Sequence, residues 1–180
     1  MTQKQQTINN NLLEELSSTN TQVAMQAIEK IKSVASEEII PGLLKVWYQS
    51  NGELYQKIED LLYSVKNKQK AEKILIQELK QEKSSVKREK LIAVFWNAKL
   101  NPVNNLSLFV KIATEGTYME CLECHTLIEN MEGPYPEQQL LESMLILKEY
   151  FGKNKSDEKR PLLQSIATII QYRDEVSLDD

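Results

Sequence analysis

The sequence predicts an all-α chain built as a stack of antiparallel helix pairs, and three observations carry that prediction. Apolar residues recur three and four positions apart in segment after segment, which lines one face of an α-helix. Short breakers of Gly, Pro, Asn and Ser separate these segments and are too brief for anything but a reversal of direction. The apolar places then return at nearly constant intervals along the chain, as they do in repeat arrays.

Taken in order, residues 1–11 are rich in Gln and Asn and read as a frayed polar tail. Leu12, Leu13 and Leu16 begin a capping helix that pairs with residues 23–34. Ile39, Leu43, Val46 and Trp47 form the next stripe, followed by Ile58, Leu61, Leu62 and Val65. Leu75 and Leu79 continue it, then Leu91, Val94, Phe95 and Ala98. Leu140, Met144, Leu147 and Phe151 come later, and Leu163, Ile166, Ala167 and Ile170 are last. The breakers fall at Asn51-Gly52, Asn67-Lys68, Lys83-Ser84-Ser85, Asn101-Pro102, Glu115-Gly116-Thr117, Gly133-Pro134-Tyr135-Pro136 and Gly152-Lys153-Asn154. Glycine accepts the left-handed cap of a helix end and proline does not continue a helix.

Two ladders share one period. Leu43, Leu75, Leu108 and Leu140, taken as equivalent places in first helices, are separated by 32, 33 and 32 residues. Ile28, Ile58, Leu91 and Leu122, taken as equivalent places in second helices, are separated by 30, 33 and 31. Agreement between independent ladders argues for a repeat array of about four to five helix pairs over residues 12–173 rather than a generic bundle. Residues 174–180 follow as an acidic tail.

The stretches EEIIPGLLKVWYQSNGELYQKIEDLLYSV and KILIQELKQEKSSVKREKLIAVFWNA resemble HEAT repeats. Each has a first helix with paired Leu or Ile, a short polar turn, and a second helix rich in Ala and Leu. Ser85-Val86-Lys87-Arg88 is the closest match to the family's turn, and Pro41 falls where such first helices often carry proline. The likeness covers roughly residues 37–173. It implies a right-handed α-α superhelix, a solenoid whose second helices line the concave side. The Asp and Arg ladder that commonly ties neighbouring HEAT turns is mostly absent, which leaves an armadillo-like array open beside a HEAT-like one.

Composition bounds the setting. With 180 residues the chain is long enough to bury well over half of its unfolded surface, so no disulfide or metal staple is required. Hydrophobic residues at 41% and charged residues at 27% match soluble globular averages, and five Gly and five Pro disfavour disordered or all-β readings. The longest apolar runs, such as residues 91–96, are far shorter than the roughly 20 residues that cross a bilayer. The polar start has no signal-peptide core, so a cytoplasmic protein without membrane partners is expected. The formal charge of −4 is uneven: residues 66–90 hold nine basic against four acidic side chains, a net of +5 that leaves −9 elsewhere.

Candidate chemistry is thin. Cys121-Leu122-Glu123-Cys124-His125 spells the Cys-x-x-Cys-His of covalent haem attachment, but Cys121, Cys124, Ile128 and Met131 share helical spacing and read as a packed face. One histidine and two cysteines fall short of the four ligands zinc prefers, so no metal is expected. No Gly-x-Ser-x-Gly elbow or Gly-rich phosphate loop is present, and the chain is expected to be neither an enzyme nor a cofactor binder. Paired carboxylates such as Glu14-Glu15 and Glu37-Glu38 are adjacent and point to different sides of a helix.

Two binding surfaces remain. Stacking second helices in register places Tyr55, Arg88 and Tyr118 in one row, and Tyr63, Trp96 and Thr126 in another. Tyr, Trp and Arg dominate binding hot spots, so Tyr55, Tyr63, Arg88, Trp96 and Tyr118 are candidate contacts for another protein or peptide segment. The competing reading packs them between repeats, since large aromatics bury more often than they stand exposed. The alternative surface is nucleic-acid binding by the basic segment, with Lys80, Lys83, Lys87, Arg88 and Lys90 as phosphate contacts. Glu72, Glu78, Glu82 and Glu89 interrupt that run. The expected function is a scaffold or adaptor that docks a partner on a concave helical surface.

Overall fold

The structure, a computed structural model, describes residues 3–34, 36–153 and 157–177, with side chains as far as Arg173. Every regular element among the described residues is helical. The α-helices are α1 (Gln3–Leu16), α2 (Thr21–Val34), α3 (Ile40–Gln49), α4 (Gly52–Tyr63) and α5 (Lys68–Gln81), then α6 (Ser85–Asn97), α7 (Leu106–Glu115), α8 (Tyr118–Asn130), α9 (Glu137–Lys153) and α10 (Arg160–Ser177). Single 3-10 turns, Glu37–Ile39 and Val103–Asn105, lead into α3 and α7. All of the expected breakers fall at helix ends; of the last, Asn154 lies outside the described residues.

The chain forms two compact units, Met1–Gln81 and Glu82–Asp180. In the first, α1 packs along α2, α3 packs against α4 and α5, and α2 packs against α4. The apolar stripes supply the seam: Leu16, Ile28, Ile40, Leu44, Trp47, Ile58, Leu62 and Leu75 are all buried. Each such side chain contributes about 1.5–3 kcal/mol relative to exposure. Glycine is needed at one turn here, where Gly52 has a φ of +55° as the chain reverses from α3 into α4.

In the second unit α6 packs on α8, α7 on α8 and α9, and α10 on α8 and α9. Phe95 of α6 meets Phe109 of α7 edge to face, with centroids 5.2 Å apart, and both rings are fully buried. Leu91, Val94, Ile128, Leu147, Leu163, Ile166 and Ile170 complete the core.

Three expectations shift. The start is helical from Gln3, well before Leu12, and within this helix Asn9 is buried and accepts a hydrogen bond from Gln5 Nε2 at 3.2 Å. Helix α10 runs through to Ser177, so the expected acidic tail is helical over 174–177, and 178–180 lie outside the described residues. The ladder places Leu108 and Leu122 are half-buried, and Phe109 and Cys121 take the inward positions beside them.

Candidate functional site

The most constrained polar cluster sits at the start of α8. Thr117 caps that helix: its hydroxyl accepts from Glu120 N at 3.2 Å, and Glu120 Oε2 accepts from Thr117 N at 2.7 Å. This reciprocal capping box satisfies two donors that a helix start otherwise leaves open. Glu120 has no solvent exposure, so its charge needs a partner, and Arg88 Nε of α6 supplies one at 2.6 Å from Oε1. Gly116 makes room for it: a Cβ there would lie 2.7 Å from both Glu120 Oε2 and the Ile112 carbonyl oxygen.

A second bridge forms two turns further along α6 and about one turn further along α8. Trp96 Nε1 of α6 donates to Glu123 Oε2 of α8 at 2.8 Å, and the indole is left half-buried. Helices α6 and α8 are therefore braced at two levels. Tyr118 and Met119, in the first turn of α8, are 40% and 42% exposed beside this brace.

The helix ends in the second unit are closed by cations from α10 and its approach. Lys159 is buried, and its ammonium donates to the carbonyls of Thr114 and Gly116 at 2.8 Å each and of Ala113 at 3.4 Å. A cation on the last carbonyls of α7 also complements the helix dipole. Asp157 holds this segment, accepting from Lys159 N at 2.9 Å and from the Tyr150 hydroxyl. Burial and then this bond push the Tyr150 hydroxyl well above its ordinary range. Arg173 similarly reaches the carbonyl of Glu129, near the end of α8, at 3.1 Å and stacks over the Tyr135 ring at 4.7 Å.

The cysteine motif belongs to the packing of α8. Cys121 and Cys124 are fully buried free thiols, and Ile128 and Met131 are buried on the same stripe. Burial pushes the Cys121 thiol up to about 11 and the Cys124 thiol well above its ordinary value, so neither is a nucleophile at neutral pH. His125 Nε2 lies 2.8 Å from Ser165 Oγ, which ties α8 to α10. Among the described residues no group of three or more His, Cys, Asp or Glu side chains is gathered to hold a metal ion, and no helix is long and apolar enough to cross a membrane.

The expected contact residues are distributed over both units. On α4 of the first, Tyr55 stacks on the buried Trp47 with centroids 5.5 Å apart, and Tyr63 is half-buried. In the second, Arg88 and Trp96 are bound to Glu120 and Glu123, and Tyr118 is exposed. Of the expected phosphate contacts, Lys80 is exposed on α5 of the first unit. In the second, Lys83 and Lys87 are exposed, Lys90 is half-buried, and Arg88 is committed to Glu120.

No family model matches the chain, and neither does any curated protein or solved structure.

Four residues of this region were not singled out in the sequence. Glu120 had a local signal, since Thr117-x-x-Glu120 spells a capping box. Glu123, Lys159 and Arg173 had none, because their partners lie 27, 43 to 46, and 44 residues away.

Proposed function

We propose that the chain is a non-enzymatic adaptor, a HEAT-like array of helix pairs that holds a segment of another protein against α6 and α8. Trp96, Tyr118 and Met119 are the contact residues in this reading. The observation that carries it is the double brace, Arg88 to Glu120 and Trp96 to Glu123, which fixes the two helices while leaving large side chains at the surface. A surface fixed before the partner arrives loses less entropy on binding. The array itself is supported within each unit by packing between helices two positions apart, α2 on α4, α3 on α5, α6 on α8, α7 on α9 and α8 on α10.

The test is a pull-down from the native organism with the wild-type chain, Trp96→Ala and Tyr118→Ala/Met119→Ala, followed by affinity measurement with each recovered partner purified. A genuine partner binds the variants at least about tenfold more weakly. Recovery of the same partners with unchanged affinity rejects this face.

The nucleic-acid reading draws on the exposed Lys83 and Lys87, and it loses Arg88, the residue type best suited to a phosphate, to an internal carboxylate. Binding of an oligonucleotide that falls steeply with salt and weakens with each lysine removed would favour it.

A further inference from the structure

One surface of the second unit is apolar, exposed and distinct from the α6 and α8 face. Along α9, Leu141 and Leu145 are 56% and 65% exposed, and Met144 is half-buried beside them. Together with Phe151 and Ala167 they line an open groove of about 460 Å³ between α9 and α10. Such a concentration of large apolar side chains on one helix face is rarely left to water.

The charges at the two ends of this stripe say what fits it. Glu137 and Lys148 are both exposed, three helical turns apart, so they share the face that carries Leu141 and Met144. Leu141 and Met144 are placed symmetrically about a point midway between residues 142 and 143, and so are Glu137 and Lys148. An antiparallel copy of α9, related by a two-fold axis through that point, therefore sets Leu141 against Met144 of the second copy. The same operation sets Glu137 against Lys148 of the second copy, and each pairing occurs twice. Self-complementarity about one axis is the signature of an isologous interface.

We propose that two copies of this chain associate through the exposed face of α9, antiparallel across a two-fold axis. The apolar pair supplies the attraction and the end charges fix direction and register. A contact centred on one helix face, about 25 Å long, is smaller than the roughly 800 Å² per partner of a standard interface, so the dimer is weak and concentration-dependent.

Sedimentation equilibrium of the full chain from about 1 µM to about 500 µM tests it, a range that brackets a micromolar constant. The wild-type chain is expected to move from monomer to dimer across that range. Leu141→Asp/Leu145→Asp weakens association at least about tenfold, and its unchanged helical circular dichroism separates this from misfolding. Glu137→Lys alone and Lys148→Glu alone each place like charges together twice and weaken it severalfold. The Glu137→Lys/Lys148→Glu double variant restores it, and so does an equimolar mixture of the two single variants. A wild-type chain that stays monomeric throughout overturns the proposal, as does a dimer indifferent to Leu141→Asp/Leu145→Asp. Failure of the double swap and of the mixture to restore association also overturns it. A different protein bound on this face by a monomeric chain does the same.

Discussion

Arg88 Nε meets Glu120 Oε1 at 2.6 Å where the carboxylate has no exposure and the guanidinium side chain keeps 26% of its own. The asymmetry matters: losing Arg88 strands a buried charge, whereas losing Glu120 leaves a cation that water can reach.

Arg88→Met should therefore lower unfolding free energy by about 3 kcal/mol, the scale for breaking a buried pair from one side. Glu120→Gln should be milder, because glutamine still serves a capping box. A double-mutant cycle by urea denaturation checks the coupling: the combined loss should be clearly smaller than the sum of the two.

Lys159→Met removes three carbonyl contacts at the end of α7 and should cost about 2 kcal/mol, the range for a hydrogen bond to a charged group. Lys159→Arg should not rescue it, since a planar fork does not reproduce a compact three-donor ammonium. Thermal melts of both variants would show it, and full rescue by arginine would argue that charge alone suffices.

Gly116→Ala should destabilise by about 1–3 kcal/mol, the usual range for overpacking. The added carbon meets both Glu120 and the backbone carbonyl of Ile112, and the backbone carbonyl has little room to retreat. Loss of hydrogen-exchange protection in the first turn of α8 would localise the effect there.

In the first unit the Glu38 carboxyl is held down to about 2, first by its hydrogen bond with Lys70 and then by Ser36. A depressed folded value stabilises the protein above the ordinary value of 4.5, and this contribution is lost as the pH falls towards about 2. Glu38→Gln should flatten that part of the stability profile. Denaturant midpoints measured across the window for both proteins decide it, and parallel profiles would contradict the assignment.

Cys121 and Cys124 should resist a thiol reagent at neutral pH while the protein is folded and react together on denaturation, because both are buried and protonated. Immediate modification of either in native buffer would contradict their burial.

Helix placement was legible because breakers and periodicity act locally. Asn51-Gly52, Asn101-Pro102 and Glu115-Gly116-Thr117 each end one helix or open the next, as their residue types dictate. The one-residue slips at Leu108 and Leu122 arose where apolar residues are contiguous, as in Leu108-Phe109-Val110, and two adjacent faces satisfy the same spacing. At the start the run of Gln and Asn is mostly exposed, as its composition suggests, but it is helical, and the buried Asn9 finds partners in Gln5 and, at 3.5 Å, Ser36. In the candidate site, the sequence offered Trp96 both as a surface contact and as packing between helices, and gave no sign of its partner Glu123 on α8. Tertiary pairing joins residues whose neighbours in sequence give no sign of it.

Each compact unit carries its own tryptophan, Trp47 in the first and Trp96 in the second. Trp47 is 1% exposed and Trp96 is half-buried, so two environments are sampled by two natural fluorophores. Replacing either with phenylalanine leaves a chain whose emission reports one half alone. Coincident melting curves would mark a single cooperative transition, and separated ones would mean that the protein can lose half its order while the other half stays intact.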